Sequence, residues 1–149
     1  PLRGKEDVEA IKEGLRNSTI DIIATDHAPH ESTSKDVEFD IATFGISGFE
    51  TALALSLALV HEGVLSLIDC LRKFTVHPAK LLRLPYGQIA PGRVADLIVF
   101  NPDKEWKVDR NTFCSKGKNT PFHGWRLKGK NILTMVDGKI VYRDRSFKG

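Results

Sequence analysis

Apolar residues recur along this chain with two different periods. Over residues 5–16 they fall at helical spacing: Val8, Ile11 and Leu15 share a face, with Glu6, Glu9, Lys12 and Glu13 on the others. Acidic residues in the first turn suit the helix dipole, and Asn17-Ser18 ends the element. Next comes Ile20 to Ala24, a short β-branched run bounded by polar residues. That pattern predicts a strand buried on both faces, as in a parallel α/β layer. Residues 31–46 are polar and irregular. A loop this long in a compact domain is usually functional, and it leaves from the charged end of the strand, as a substrate-covering loop would. Ser47 with Glu50 has capping-box spacing and opens a helix that is apolar nearly all round until His61-Glu62-Gly63. Two shorter helices follow, one opened by Ser66 with Asp69 and one by Thr75, running through Leu82 with Pro78 in its first turn.

From Pro85 the period changes to two. Residues 88–94 read as a strand and turn, 95–100 as a core strand, and 106–108 as a weaker strand. Residues 130–136 and 139–142 flank Asp137-Gly138, a strong hairpin turn. A long connection covers 115–125. Two parts result: residues 1–84, α/β in character, and residues 85–149, a β module. One buried strand between helices makes no parallel sheet, and a closed (β/α) barrel takes about 250 residues. Residues 1–84 therefore read as the closing segment of a barrel whose other strands lie upstream of Pro1, and the chain as a fragment or processed piece.

The chemistry lies just past the predicted buried strand, at Asp26, His27 and His30, where α/β proteins carry their active sites. A carboxylate there can bind a divalent metal and hold the proton of an attacking water. One Asp is not a metal site, and the chain has no H-x-H, H-E-x-x-H or cysteine cluster. His61 and His77 read as helix-end and packing residues. Cys70 and Cys114 fit no C-x-x-C pattern and read as free thiols of a reducing cytosol. No run of about 18 apolar residues appears, so no membrane-spanning helix is expected in this chain. Charge is uneven: residues 1–100 hold 10 basic against 14 acidic side chains, residues 101–149 hold 12 against 5. The lysines of the basic part are scattered and match no nucleic-acid motif, so they read as a solvated β surface that discourages edge pairing.

Asp26-His27-Ala28-Pro29-His30, after Thr25, resembles a signature of the class I dihydroorotases, in the amidohydrolase superfamily. Phe44-Gly45-Ile46-Ser47-Gly48-Phe49-Glu50-Thr51-Ala52 and Lys118-Asn119-Thr120-Pro121-Phe122 extend the resemblance, which runs the whole chain. Gly92-Arg93-Val94-Ala95-Asp96-Leu97 is similar to amidohydrolases in general. The resemblance implies an amidohydrolase (β/α)8 TIM barrel, of which this is the closing segment, plus part of a small β-sandwich. It implies a zinc enzyme, binuclear when intact, that interconverts dihydroorotate and N-carbamoyl-L-aspartate in pyrimidine biosynthesis in the cytoplasm. Asp26 would contact the metal and shuttle the proton, His30 would bind the substrate carboxylate, and the Phe44-Gly45 backbone would bond the pyrimidine ring. His27 would be structural or support a ligand. Thr43 departs from the proline that relatives often carry there. The upstream histidines, the bridging carboxylated lysine and other substrate contacts of the family have no counterpart here. The fragment is accordingly expected to be inactive alone and to need its missing amino-terminal half. The expected partners are the small-molecule substrate and a homodimer mate or a transcarbamoylase, with no nucleic acid and no membrane. The alternatives are a non-catalytic dihydroorotase-like assembly subunit and another cyclic amidohydrolase, of allantoinase or hydantoinase type.

Overall fold

The structure, a computed structural model, describes residues 3–145 and 147. Its elements in chain order are α1 (Lys5–Arg16), α2 (Ser32–Lys35), α3 (Phe49–His61), α4 (Leu67–Arg72), α5 (Val76–Leu81), β1 (Leu97–Lys107), a 3₁₀ turn (Arg110–Thr112), β2 (Arg126–Val136) and β3 (Lys139–Arg143). The strands form one sheet in the order β1-β2-β3. The chain divides into two compact units. One comprises Pro1–Ala24, Ser56–Val99 and Ile132–Gly149; the other comprises Thr25–Leu55 and Phe100–Asn131.

In the first unit α1 occupies its predicted span. Only Leu15 of its apolar stripe is buried, while Val8 and Ile11 are exposed. Leu15 packs with Val64, Leu65 and Cys70, and Ile20, Ile23, Leu59, Val60 and Phe74 close around that nucleus. Ser66 caps α4 as expected, its Oγ accepting from the Asp69 amide at 3.1 Å. The same hydroxyl donates to the Asp69 carboxylate, which holds that carboxyl below its usual range. Thr75 does not cap α5; its hydroxyl donates back to the Leu71 carbonyl at 2.8 Å. Burial pushes the Cys70 thiol up, and both cysteines are free.

The predicted strand at residues 20–24 is a correction. The segment forms no ladder, and its isoleucines are half-buried where full burial was expected. A parallel strand is defined by its neighbours, and none among the described residues pairs with it. Helices hold its backbone instead. Ile20 N–H donates to the Gly14 carbonyl (2.9 Å) and Ile23 N–H to the Lys73 carbonyl (3.2 Å). Lys73 Nζ donates to the Ile20 carbonyl (2.6 Å), and His77 Nδ1 to the Asp21 carbonyl (2.9 Å). Lys73 itself is only 1 % exposed, so its stem fills the interior while its ammonium serves the chain entering the site.

The β region differs in two places. Residues 88–94 form no strand. The strands expected at 95–100 and 106–108 are mostly one, β1, running through Pro102. Proline removes one ladder donor, which an edge strand tolerates, and β1 is an edge. The Asn101 side chain adds local support by accepting from the Asp103 and Lys104 amides at 2.9 and 3.1 Å. The hairpin is as predicted: Asp137 (φ 47°) and Gly138 (φ 73°) both take the left-handed conformation of a tight β2–β3 turn. Met135 pairs with Ile140 and Thr134 with Tyr142, so Val141 is the extra residue of a bulge.

Candidate functional site

Residues 25–50 and 109–120 build the second unit's polar face. The first segment leaves the apolar run at Asp26, whose backbone is left-handed (φ 45°). Aspartate tolerates this region better than most L residues, and a strained backbone at a chemical position fixes where the side chain points. Asp26 is exposed. The next residue pairs back onto the loop: His27 and Ile46 form an isolated parallel bridge, with Ala28 N–H donating to the Ile46 carbonyl at 2.8 Å.

His27 caps α3. Its Nδ1 accepts from the amides of Gly48 (3.0 Å) and Phe49 (3.3 Å), and its ring stacks on Phe49 with centroids 3.8 Å apart. An Nδ1 that accepts carries no proton, so the ring proton sits on Nε2. Neither nitrogen is then left to bind a metal. The expected Ser47–Glu50 capping box is absent. Ser47 Oγ donates to the Gly117 carbonyl (2.7 Å) and its amide to the Asn119 carbonyl (2.7 Å). Glu50 Oε1 accepts from the Ser115 amide (3.0 Å), and its buried Oε2 has no partner among the described residues. Both residues face the 115–119 segment, which supplies partners that the helix end would otherwise have used. Replacing His27 by alanine leaves two helix amides without an acceptor and removes the stack. Chemical denaturation should show a loss of about 1–2 kcal/mol; an unchanged midpoint would mean that water caps α3 equally well.

The 115–119 segment also presses against the signature. A Cβ on Gly117 would lie 2.7 Å from the Pro29 backbone, so only glycine permits this approach. Asn119 Nδ2 donates to the Gly45 carbonyl at 2.9 Å. Lys35, at the end of α2, donates from its ammonium to the carbonyls of Thr43 and Gly45. Gly45 has φ 113°, and a Cβ there would sit 2.4 Å from the Ala28 Cβ and 3.4 Å from His30 Nε2. The sequence-predicted residues His30 and Gly45 are thus brought side by side. Phe44 projects outward, with 88 % of its surface exposed. Among the described residues no hydrogen bond engages the Phe44 carbonyl or the Gly45 amide. A cleft of about 760 Å³ opens here, with His30, Lys35, Arg110, Lys116, Lys118 and Asn119 in its wall. Glu31 and Asp36 offset only part of that positive charge, and the volume suits a small anionic ligand. Asp26, Phe44 and Gly45 are not in its lining.

Among the described residues no three His, Cys, Asp or Glu side chains converge where they could hold a metal ion. One carboxylate falls short of the three or four protein ligands a metal centre takes. The residues present do not by themselves fit a metal. No helix among the described residues is long and apolar enough to cross a membrane.

The sequence profile of the amidohydrolase family matches residues 2–141. The chain is 57% identical over 144 residues to the dihydroorotase of Syntrophus aciditrophicus (strain SB), covering 97% of this chain and 34% of that protein. It is 51% identical over 143 residues to the dihydroorotase of Geobacter metallireducens, covering 96% and 34%. Among solved structures it is similar to the L-hydantoinase (dihydropyrimidinase) of Arthrobacter aurescens, with a TM-score of 0.87 at 34% identity, covering 96% of this chain and 33% of that one. It is also similar to the dihydropyrimidinase of Brevibacillus agri NCHU1002, with a TM-score of 0.89 at 25% identity, covering 99% and 33%. The chain therefore spans about a third of the length of the curated relatives it matches.

Proposed function

The chain belongs to the amidohydrolase family, and from that premise we propose that it is the carboxyl-terminal portion of a dihydroorotase. In this reading residues 1–84 close the metal-dependent hydrolase barrel and residues 85–149 belong to its β-sandwich. The intact protein opens the amide ring of dihydroorotate to N-carbamoyl-L-aspartate, and closes it again, in pyrimidine biosynthesis in the cytoplasm. The family and the dihydroorotase relatives imply a metal dependence. Zinc, as a binuclear centre held mainly by residues outside this chain, would polarise the ring carbonyl when bound.

The observation that carries the reading is local. His30 Nε2 lies against Gly45, beside a peptide whose carbonyl and amide are both unengaged among the described residues. The open Gly45 amide can donate to a carbonyl of the substrate ring. A carboxylate on the same ring would take a hydrogen bond from the His30 imidazole. The basic wall of the cleft draws an anion toward His30, which lines it. Asp26 completes the chemistry as the general base and acid. It takes the proton of the attacking water and returns it to the departing ring nitrogen.

Hydantoinase-type neighbours favour a second reading, hydrolysis of a cyclic amide without a carboxylate. The two separate in one assay. The full-length protein, supplied with zinc, is expected to turn over dihydroorotate and to leave hydantoin and allantoin intact, while the 149-residue chain alone is expected to be inactive. Preference for hydantoin would favour the second reading. Turnover of none of the three by full-length protein would favour a non-catalytic assembly subunit, joined to a second copy or to a transcarbamoylase. Robust turnover by this chain alone would overturn the need for a missing half.

A further inference from the structure

The Phe44–Gly45 peptide rests Gly45 on Ala28 but leaves the Phe44 side chain outside any core. The Phe44 ring is exposed, and φ at Gly45 lies in the left-handed region. The geometry instead concentrates polar donors on the carbonyls to either side. Lys35 Nζ donates to Thr43 on one side and to Gly45 (3.0 Å) on the other, so one ammonium bridges the ends of the turn. Asn119 Nδ2 adds a second donor to the Gly45 carbonyl (2.9 Å). Thr43 N–H in turn donates to the Ser34 carbonyl (3.0 Å), tying the turn to α2, the element that carries Lys35. Lys35 is half-buried, and no carboxylate among the described residues pairs with it. A cation whose bonded partners are two backbone carbonyls three residues from end to end acts as a clamp on the turn between them.

We infer that Lys35, with Asn119, is a positioning residue that presents the Gly45 amide to a carbonyl of a cyclic-amide substrate ring. The inference rests on the proposed dihydroorotase reading and deepens it at the same site. A peptide that must aim its N–H at one ring carbonyl tolerates little rotation. Both flanking carbonyls are therefore fixed, and the groups between them are left open. Lys35 does not touch the reacting atoms in this scheme, so its loss should weaken substrate binding and leave the chemical step largely intact.

The test uses full-length protein loaded with zinc. Lys35→Met is expected to raise KM for dihydroorotate at least tenfold with kcat within about threefold of wild type. Asn119→Ala, which removes the second donor, should move KM in the same direction by a smaller factor. Lys35→Arg, whose fork can reach both carbonyls, should restore most of the loss. Should Lys35→Met fail to fold, Lys35→Gln carries the same KM measurement. A KM within twofold of wild type in the folded Lys35 variant, or a fall confined to kcat, overturns the inference while wild-type turnover leaves the dihydroorotase reading standing. Absence of dihydroorotate turnover by the wild type overturns both.

Discussion

Asp26→Asn in the full-length protein is expected to lower kcat for dihydroorotate by a factor of about 10² to 10⁴, the range that a positioned general acid–base contributes. The substitution is close to isosteric. Asparagine also shares the tolerance of aspartate for left-handed backbone, so the φ of 45° at this position survives the change. What disappears is the capacity to take a proton and give it back. A carboxamide can still present an oxygen to a cation, so a fall in kcat with metal content and unfolding midpoint unchanged would isolate proton transfer as the lost step. Asp26→Ala gives a useful contrast. It removes the oxygen as well and strains the backbone, so metal content and stability should fall with activity. Near-normal turnover in Asp26→Asn would remove Asp26 from the catalytic role and leave it as a turn residue.

The parts of this chain that were legible from sequence are those whose partners lie nearby. Helix α1, the Ser66 cap and the Asp137-Gly138 turn are each specified within a few residues, and each forms where the pattern says. The errors share a cause. Ser47 and Glu50 have capping-box spacing, yet residues 115–119 bind both and His27 takes over the helix amides. No local signal announces a cap contributed from 21 positions upstream. Ile20 to Ala24 has the composition of a buried strand, but strand identity depends on neighbours, and the segment is held by Lys73 and His77 in their place. The pattern reads strands at 95–100 and 106–108 apart, whereas β1 runs through Pro102 as an edge strand. At the candidate site, Asp26, His30, Phe44 and Gly45 are singled out by resemblance alone. Lys35 and Asn119 could not be given roles, because a lysine in a polar loop looks like any solvated charge until its acceptors are known.

Gly45→Ala should be the most damaging single change on the loop, since it meets two independent obstacles. The first is conformational: φ of 113° is open to glycine and strained for an L residue, at about 1–3 kcal/mol. The second is steric: the new Cβ would fall 2.4 Å from the Ala28 Cβ, well inside contact, so a backbone shift must follow, at a further cost of about 1–3 kcal/mol. Relief by moving the loop outward would draw the Gly45 carbonyl away from Lys35 and Asn119 and part the Phe44–Gly45 peptide from His30. Stability and dihydroorotate KM should therefore worsen together, by about 2–5 kcal/mol in denaturation and well over tenfold in KM. The two obstacles can be pulled apart with Ala28→Gly. Adding it to Gly45→Ala removes the clash but not the strained φ, so the double variant should recover only part of the stability, with non-additivity of about 1–3 kcal/mol between the sites. Full recovery would mean that alanine adopts this backbone freely; no recovery would mean that the left-handed turn, and not the packing of Gly45 on Ala28, is what orders the loop beside His30.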